Sequence, residues 1–434
     1  MPTTLKTTTA FAGQVPDPLG PAWLRKRREE AWARFVERGA PGPKDEVWRT
    51  TDLRPVTSRP WMPAHAVSGP SRTTEAEATA AQATLPRTHR LVFVDGRLEA
   101  GLSDVDDVPK GLTLCAMSEM WDDPVLVRHL AAVEDGARHP FSDWNTAAFE
   151  DGAFVHVANG TAVERPIHLV FLSTAGPGAV HHARTLVVAG PTSQATVIEQ
   201  SVGTPDAAGA LTNAVTEIVA EDGAVLHHAR LQQEHAEALH LAALRLHAGR
   251  DSTISSLNVQ VGAAMARTTV DALLAEEGAT IGLDGLFLAK SSQRTDTYTR
   301  IDHAVPHGTS RELYKGVLDG EARGAFTGNV LVRPGAQQTA SEQENRNLLL
   351  SRKALVDSTP QLEIHADDVK CSHGSTVGQL DENALFFLRS RGLDAEQARL
   401  MLVQGFAREV TERAPAVLRG RLEETLAAWF GEGA

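Results

Sequence analysis

The apolar positions change period twice along the chain. Near the N-terminus Leu24, Ala31, Trp32, Phe35 and Val36 recur at helical spacing after Pro21, and Gly39 with Pro41 closes the run, which predicts a helix. Within it Arg25-Lys26-Arg27-Arg28 is followed at once by Glu29 and Glu30, so this basic run is expected to be a solvated helix face rather than a nucleic-acid patch. A second short helix is expected between Pro43 and Pro55, carrying Trp48 and Leu53. The Ala-, Thr-, Ser- and Glu-rich stretch 64–85 is expected to be a mobile linker.

From about residue 90 to 385 the period becomes two. Ala242, Leu244, Leu246 and Ala248 alternate with Ala243, Arg245 and His247, and Leu257, Val259 and Val261 alternate with Asn258 and Gln260, as in strands with one apolar face. Similar runs cover 153–157, 169–172, 185–188 and 225–231, with no convincing amphipathic helix between them. The turn signals Glu221-Asp222-Gly223-Ala224, Gly249-Arg250-Asp251-Ser252 and Glu276-Glu277-Gly278-Ala279 place glycines 26 and then 29 residues apart. So loose a period fits coils stacked in a parallel β-helix, each strand pairing with the coil above and below. A large β-sandwich is the alternative, because no strict repeat is present.

The last fifty or so residues return to helical spacing. Asp394 with Gln397 forms a capping-box pattern ahead of the stripe Ala398, Leu402, Phe406 and Val410, and a second helix carries Leu418, Leu422, Leu426 and Phe430. Helices this short must pack on the β body, on each other or on another protein. The expected division is therefore a helical region and linker over 1–89, a β-helix core over 90–385 and a helical region over 386–434.

Charge and composition narrow the function. With 42 Lys+Arg against 55 Asp+Glu, the net charge of −13 argues against a nucleic-acid partner. Only two cysteines occur, Cys115 and Cys371, too few for a disulfide scaffold or for a four-thiolate site within one chain. Neither a secretory pattern at the N-terminus nor an apolar run of about 18 residues is found, so a cytoplasmic protein without a membrane span is expected. Gly285-Leu286-Phe287-Leu288-Ala289-Lys290-Ser291 has Ala289 in place of a phosphate-loop glycine and the wrong spacing, which excludes a nucleotide-hydrolysing loop there. Gly176-Pro177-Gly178, with His181 at the third glycine position, fails the dinucleotide fingerprint, and the spacing of His235 and His240 fails the zinc-protease one. The pairs His181-His182 and His227-His228 lie in strand patterns that send their rings to opposite faces, and are expected to be ordinary polar strand residues.

The most informative stretch is Leu362-Glu363-Ile364-His365-Ala366-Asp367-Asp368-Val369-Lys370-Cys371-Ser372-His373-Gly374. If the chain is extended there, Val369, Cys371 and His373 share one face. A thiol beside an imidazole is half of a zinc or iron site, a Cys/His nucleophile pair, or a small buried Cys next to a hydrogen-bonded His. A closed metal or cluster site needs three or four donors, so this one must borrow ligands from a partner chain or hold its cargo transiently. Asp367-Asp368 reads as a turn, with a weak iron contact as the other option.

This stretch resembles the SufD branch of the SufB/SufD family, scaffold proteins of the SUF iron–sulfur cluster assembly system. Leu380-Asp381, Leu385-Phe386-Phe387-Leu388, Ser390-Arg391-Gly392, the segment Ser341-Glu342-Gln343-Glu344-Asn345-Arg346-Asn347 and Glu46-Val47-Trp48-Arg49 extend the similarity. The resemblance implies a right-handed parallel β-helix between helical regions, pairing with SufB through the β-helices, and binding of the ATPase SufC through the C-terminal helices, with Leu402 and Phe406 as candidate contacts. It implies a non-catalytic scaffold on which His373, and less firmly Cys371, donates to a nascent iron–sulfur cluster shared with SufB. ATP would be hydrolysed by SufC and not bound by this chain, and reduced flavin would supply electrons in some complexes. A homodimer of the chain without SufB stays open. The competing expectation is a β-helix enzyme acting on polysaccharide, with Asp296, Arg300, Asp302 and Arg333 along a groove.

Overall fold

The computed structural model describes residues 10–11, 19–67, 73–132 and 139–431. Alternation of apolar and polar side chains over ten-residue segments builds strands that stack into two facing parallel sheets, a β-helix of about eight turns. One sheet ends with Leu211–Ala220, Leu239–Ala248, Met265–Leu274, Arg294–His303, Arg323–Val332 and Leu355–Ile364, in that order of neighbours. The other ends with Val225–Gln233, Thr253–Gln260, Thr280–Ala289, Thr309–Leu318, Thr339–Leu349 and Val369–Gly378. The chain crosses from the first sheet to the second at the turns expected from sequence. There Gly223 (φ +66°), Asp251 (φ +52°) and Gly278 (φ +74°) take the left-handed conformation that the bend requires.

Between the sheets Val187, Ile218, Leu244, Val270, Ile301 and Val330 meet Val197, Leu226, Ile254 and Ile281 in one continuous apolar core. Each such side chain stabilises the fold by roughly 1.5–3 kcal/mol relative to exposure. Two large rings lie over glycines that are their register partners on the neighbouring strand. A Cβ on Gly285 would lie 2.0 Å from the Tyr314 ring, and one on Gly316 2.2 Å from that of Phe287.

Helices cover the outside. Ala22–Arg38 packs against Pro140–Ala148, and between them Phe11, Phe35, Trp48, Phe141 and Trp144 form an aromatic cluster on the first sheet. Several expectations are corrected here. Arg28 is not part of a solvated face: it is buried, and its guanidinium donates to the carbonyls of Leu19 and Phe149. The stretch 64–85 is not a linker where it is described, because Ala64–Val67 and Thr73–Ala83 are helical, and Ala76, Ala80 and Ala83 pack on Val92, Val170, Leu172 and Val202. Helices do interrupt the β region, at Pro124–His129 and Pro140–Ala148. The segment from Pro43 to Pro55 holds a short 3₁₀ turn, Glu46–Trp48, and the start of Arg54–Thr57 rather than one helix. His181 and His182, expected to be ordinary polar strand residues, are both buried.

At the C-terminus Glu382–Ser390, Ala395–Thr411 and Ala416–Gly431 follow the last strand. The Asp394/Gln397 capping box forms as expected. Val403, Ala407, Val410, Leu418, Leu422 and Leu426 seal the outer face of the second sheet over Leu231, Val259, Leu288 and Val317. The buried stripe of the middle helix thus runs through Val403 and Ala407, one residue on from Leu402 and Phe406.

Candidate functional site at the open end of the β-helix

Leu355–Ile364 and Val369–Gly378 are the final strands of the two sheets. Each pairs along one edge with the preceding coil, and among the described residues no strand pairs with the other edge. Two unsatisfied parallel edges therefore lie side by side, joined by the bend at Asp367-Asp368, where the Asp368 N–H donates to the side chain of Gln337 (2.8 Å). Large apolar side chains stay exposed on this end: Leu355, Ile364 and Val377. Edges of this kind invite pairing with another chain.

The inward face of the last strand carries the sequence-predicted donors. Cys371 packs on the edge of the apolar core, and the Ser375 hydroxyl donates to Ser358 on the opposite end strand (2.7 Å), so His373 between them starts from the mouth of the interior. His373 is exposed, and a Cβ on Gly374 beside it would meet nothing within 4 Å. Burial pushes the Cys371 thiol above its ordinary value, so the thiolate forms chiefly when a metal or other electrophile claims the sulfur. Imidazole and thiolate both suit iron. Among the described residues no three His, Cys, Asp or Glu side chains come together to hold a metal ion. Cys115 lies on Leu112–Ala116, in the other sheet and at its far end, its thiol pushed up to about 12 by burial and by Glu119, Asp151 and Asp123.

Sequence reasoning missed what lies behind the two donors. Strand register aligns Ile254, Ile281, Ser310, Ser341 and Cys371 in one inward column, and Ser256, Leu283, Glu312, Gln343 and His373 in the next. Both columns turn polar for their last three coils. In the first, His303 Nε2 meets the Ser310 hydroxyl at 2.9 Å, and Ser310 meets Ser341 at 2.8 Å. In the second, the Gln343 amide donates to Glu312 (2.6 Å), whose carboxyl burial pushes up to about 7. The only signal available in sequence was polar residues at core positions of the alternation, and it becomes legible once register is known.

Known protein families match two stretches of the chain. Residues 171–406 match the SufBD core domain of SUF-system iron–sulfur cluster assembly, and residues 19–169 match the SufBD N-terminal region. The chain belongs to the SufB/SufD family. It is 34% identical to an iron–sulfur cluster assembly SufBD family protein of Synechocystis over 88% of this chain and 86% of that one. It is 31% identical to the iron–sulfur cluster assembly protein SufD of Escherichia coli over 87% and 86% of the two chains. A chloroplastic Arabidopsis thaliana protein, ABCI7, is 28% identical over 90% of this chain and 83% of its own length. As a SufB/SufD protein of SufD type, the chain is a component of the SUF iron–sulfur cluster assembly system.

The remaining candidates fall elsewhere on this SufB/SufD fold. Asp296 is bonded to Arg267 and Thr50 (both 2.8 Å), which ties the N-terminal region to the β-helix. Asp302 is held by Nε and Nη2 of Arg333 (2.8 and 3.0 Å) and faces Arg300 at 3.3 Å. Arg300, Asp302 and Arg333 line a cavity of about 450 Å³ on the outer face that does not include Asp296. Leu402 and Phe406 are half-buried, and the Phe406 ring lies under the Lys315 ammonium (4.7 Å). The fully outward apolar residues of this region are instead Phe386, Phe387 and Met401. No helix among the described residues is long and apolar enough to cross a membrane.

Proposed function

We propose that this chain is the non-catalytic scaffold subunit of a SUF complex, pairing with SufB through its end strands and donating His373, with Cys371 beside it, to a nascent iron–sulfur cluster at that joint. The reading is carried by one observation: the two free strand edges and the two inward donors occupy the same end of the β-helix. A chain with two donors and a pairing edge supplies half of a cluster site, and the partner supplies the rest. SufD of Escherichia coli and the SufBD relatives are named as iron–sulfur cluster assembly proteins, which supports the same role. ATP hydrolysis is left to SufC, for which Phe386, Phe387 and Met401, with half-buried Leu402 and Phe406 on the Met401 helix, offer an apolar docking face near the joint. Electrons from reduced flavin enter through the complex. The domain division at 89/90 and 385/386 is retained as part of this reading.

Co-expression with the cognate SufB and SufC, followed by native mass measurement, is expected to give one SufB, one copy of this chain and two SufC. A lone monomer that ignores both partners would overturn the proposal. His373→Ala is expected to leave that assembly intact and abolish cluster formation, with Cys371→Ser giving the smaller loss; full cluster yield in His373→Ala would remove His373 from the site.

A further inference from the structure

Gln343 is almost fully buried, yet its side-chain carbonyl has no hydrogen-bond partner. Its orientation is not free. The amide nitrogen donates to the Glu312 carboxyl (2.6 Å), and above about pH 7, where that group is a carboxylate, flipping the amide would set oxygen against oxygen. The amide also rests where Gly328 of the opposite sheet leaves space, since a Cβ there would lie 2.4 Å from the Gln343 nitrogen. Glu312 is the register partner of Gln343 on one side and His373 is its register partner on the other. With the nitrogen turned to Glu312, the orphaned oxygen is left for the His373 side of the column.

We infer that Gln343 is the positioning residue of His373: its side-chain carbonyl accepts a ring N–H of His373 and so fixes which ring nitrogen faces the cluster. The inference rests on His373 being a cluster donor, as proposed above. Neighbouring strands lie about 4.8 Å apart, so a side chain on one reaches its register partner on the next. His373 is exposed and turns between staggered rotamers at small cost, whereas a buried acceptor without a partner is expensive. On this inference the ring turns inward in solution to meet that acceptor. An imidazole that binds metal through one nitrogen commonly has its other N–H held by an oxygen, and that contact sets the tautomer. Glu312 and Gly328 act one step further back, by holding the Gln343 amide in place.

The test uses the full-length chain with ¹⁵N in its histidine rings, the His373 signal being the one absent from His373→Ala. The wild-type chain is expected to show His373 in a single neutral tautomer with a slowly exchanging ring N–H. Gln343→Leu, which removes the acceptor, and Gly328→Ala, which displaces it, are expected to lose that N–H while the backbone amide spectrum keeps its native dispersion. In the assembled complex Gln343→Leu is expected to lower cluster occupancy about tenfold to a hundredfold. Absence of the ring N–H in the wild-type chain, or its survival in both variants, would overturn the inference. The two failures separate: unchanged cluster yield in His373→Ala removes the donor and leaves the hydrogen bond standing, whereas a missing N–H removes the role of Gln343 and leaves the donor.

Discussion

Glu312 shows how a single residue reports on the interior of the β-helix. Its carboxyl is held at about 7 by burial, against an ordinary value of 4.5, so the folded chain binds this proton more tightly than the unfolded chain does. Stability from this group is therefore greatest below about pH 4.5 and falls as pH rises through the window up to 7, by on the order of 3 kcal/mol in all. Glu312→Gln removes that slope. Thermal unfolding of the variant should match the wild type near pH 4 and exceed it at pH 8, and equal melting temperatures at pH 8 would show that the carboxylate finds solvation there. The same pair of columns marks the limit of what residues alone disclose. Cys371 and His373 stand two apart in an extended run, so their shared face is readable directly. Gln343 and Glu312 are thirty or so residues upstream of each next neighbour and join them only through strand register.

At the level of the element, the C-terminal helices are held by apolar contact with the sheet beneath. Leu422 is buried in the apolar cluster that also holds Leu231, Leu288 and Val317. Leu422→Ala should cost about 2–4 kcal/mol of stability in denaturant titration, with a midpoint shift and an unchanged slope. A cost below 0.5 kcal/mol would mean that the helix rests on the sheet without close packing. Period-two elements such as Leu239–Ala248 and Thr253–Gln260 were legible because each strand has one face that must be apolar. The missed helices lack that contrast. Thr73–Ala83 buries only alanines, which resemble linker composition, and Pro140–Ala148 is buried from Pro140 through Ala147, leaving no polar face to set a period. The buried stripe of Ala395–Thr411 keeps Ala398 and Val410 but passes through Val403 and Ala407 instead of Leu402 and Phe406, because a 3.6-residue period admits either neighbour in the middle turns.

For the whole molecule the unequal ends matter most. The first strands are capped by helices and an antiparallel hairpin, while Leu355–Ile364 and Val369–Gly378 end the stack uncovered. Hydrogen exchange should accordingly be fastest in those two strands among the long strands of the core and slow sharply on binding SufB. Fast exchange that persists in the complex would place the joint elsewhere. Val377→Asp tests the same surface by charge: Val377 is 52% exposed, so the isolated chain should keep its stability within about 0.5 kcal/mol while pairing weakens at least tenfold. The stacked parallel architecture was readable from the loose spacing of Gly223, Gly249 and Gly278, but which end stays open depends on what the helices cover.

Bonds between coils of a β-helix run along its axis, and the open edges of the last coil keep that direction. A partner seated on them is held by a short row of bonds that share an axial pull equally and resist it together. A tilt concentrates the load on one end of the row and breaks it one bond at a time, as a zipper opens. The C-terminal helices lie to one side of that row, against the outer face of the second sheet. A force applied there has a lever arm, so modest sideways work by whatever grips the helices can part a joint that would withstand a straight pull.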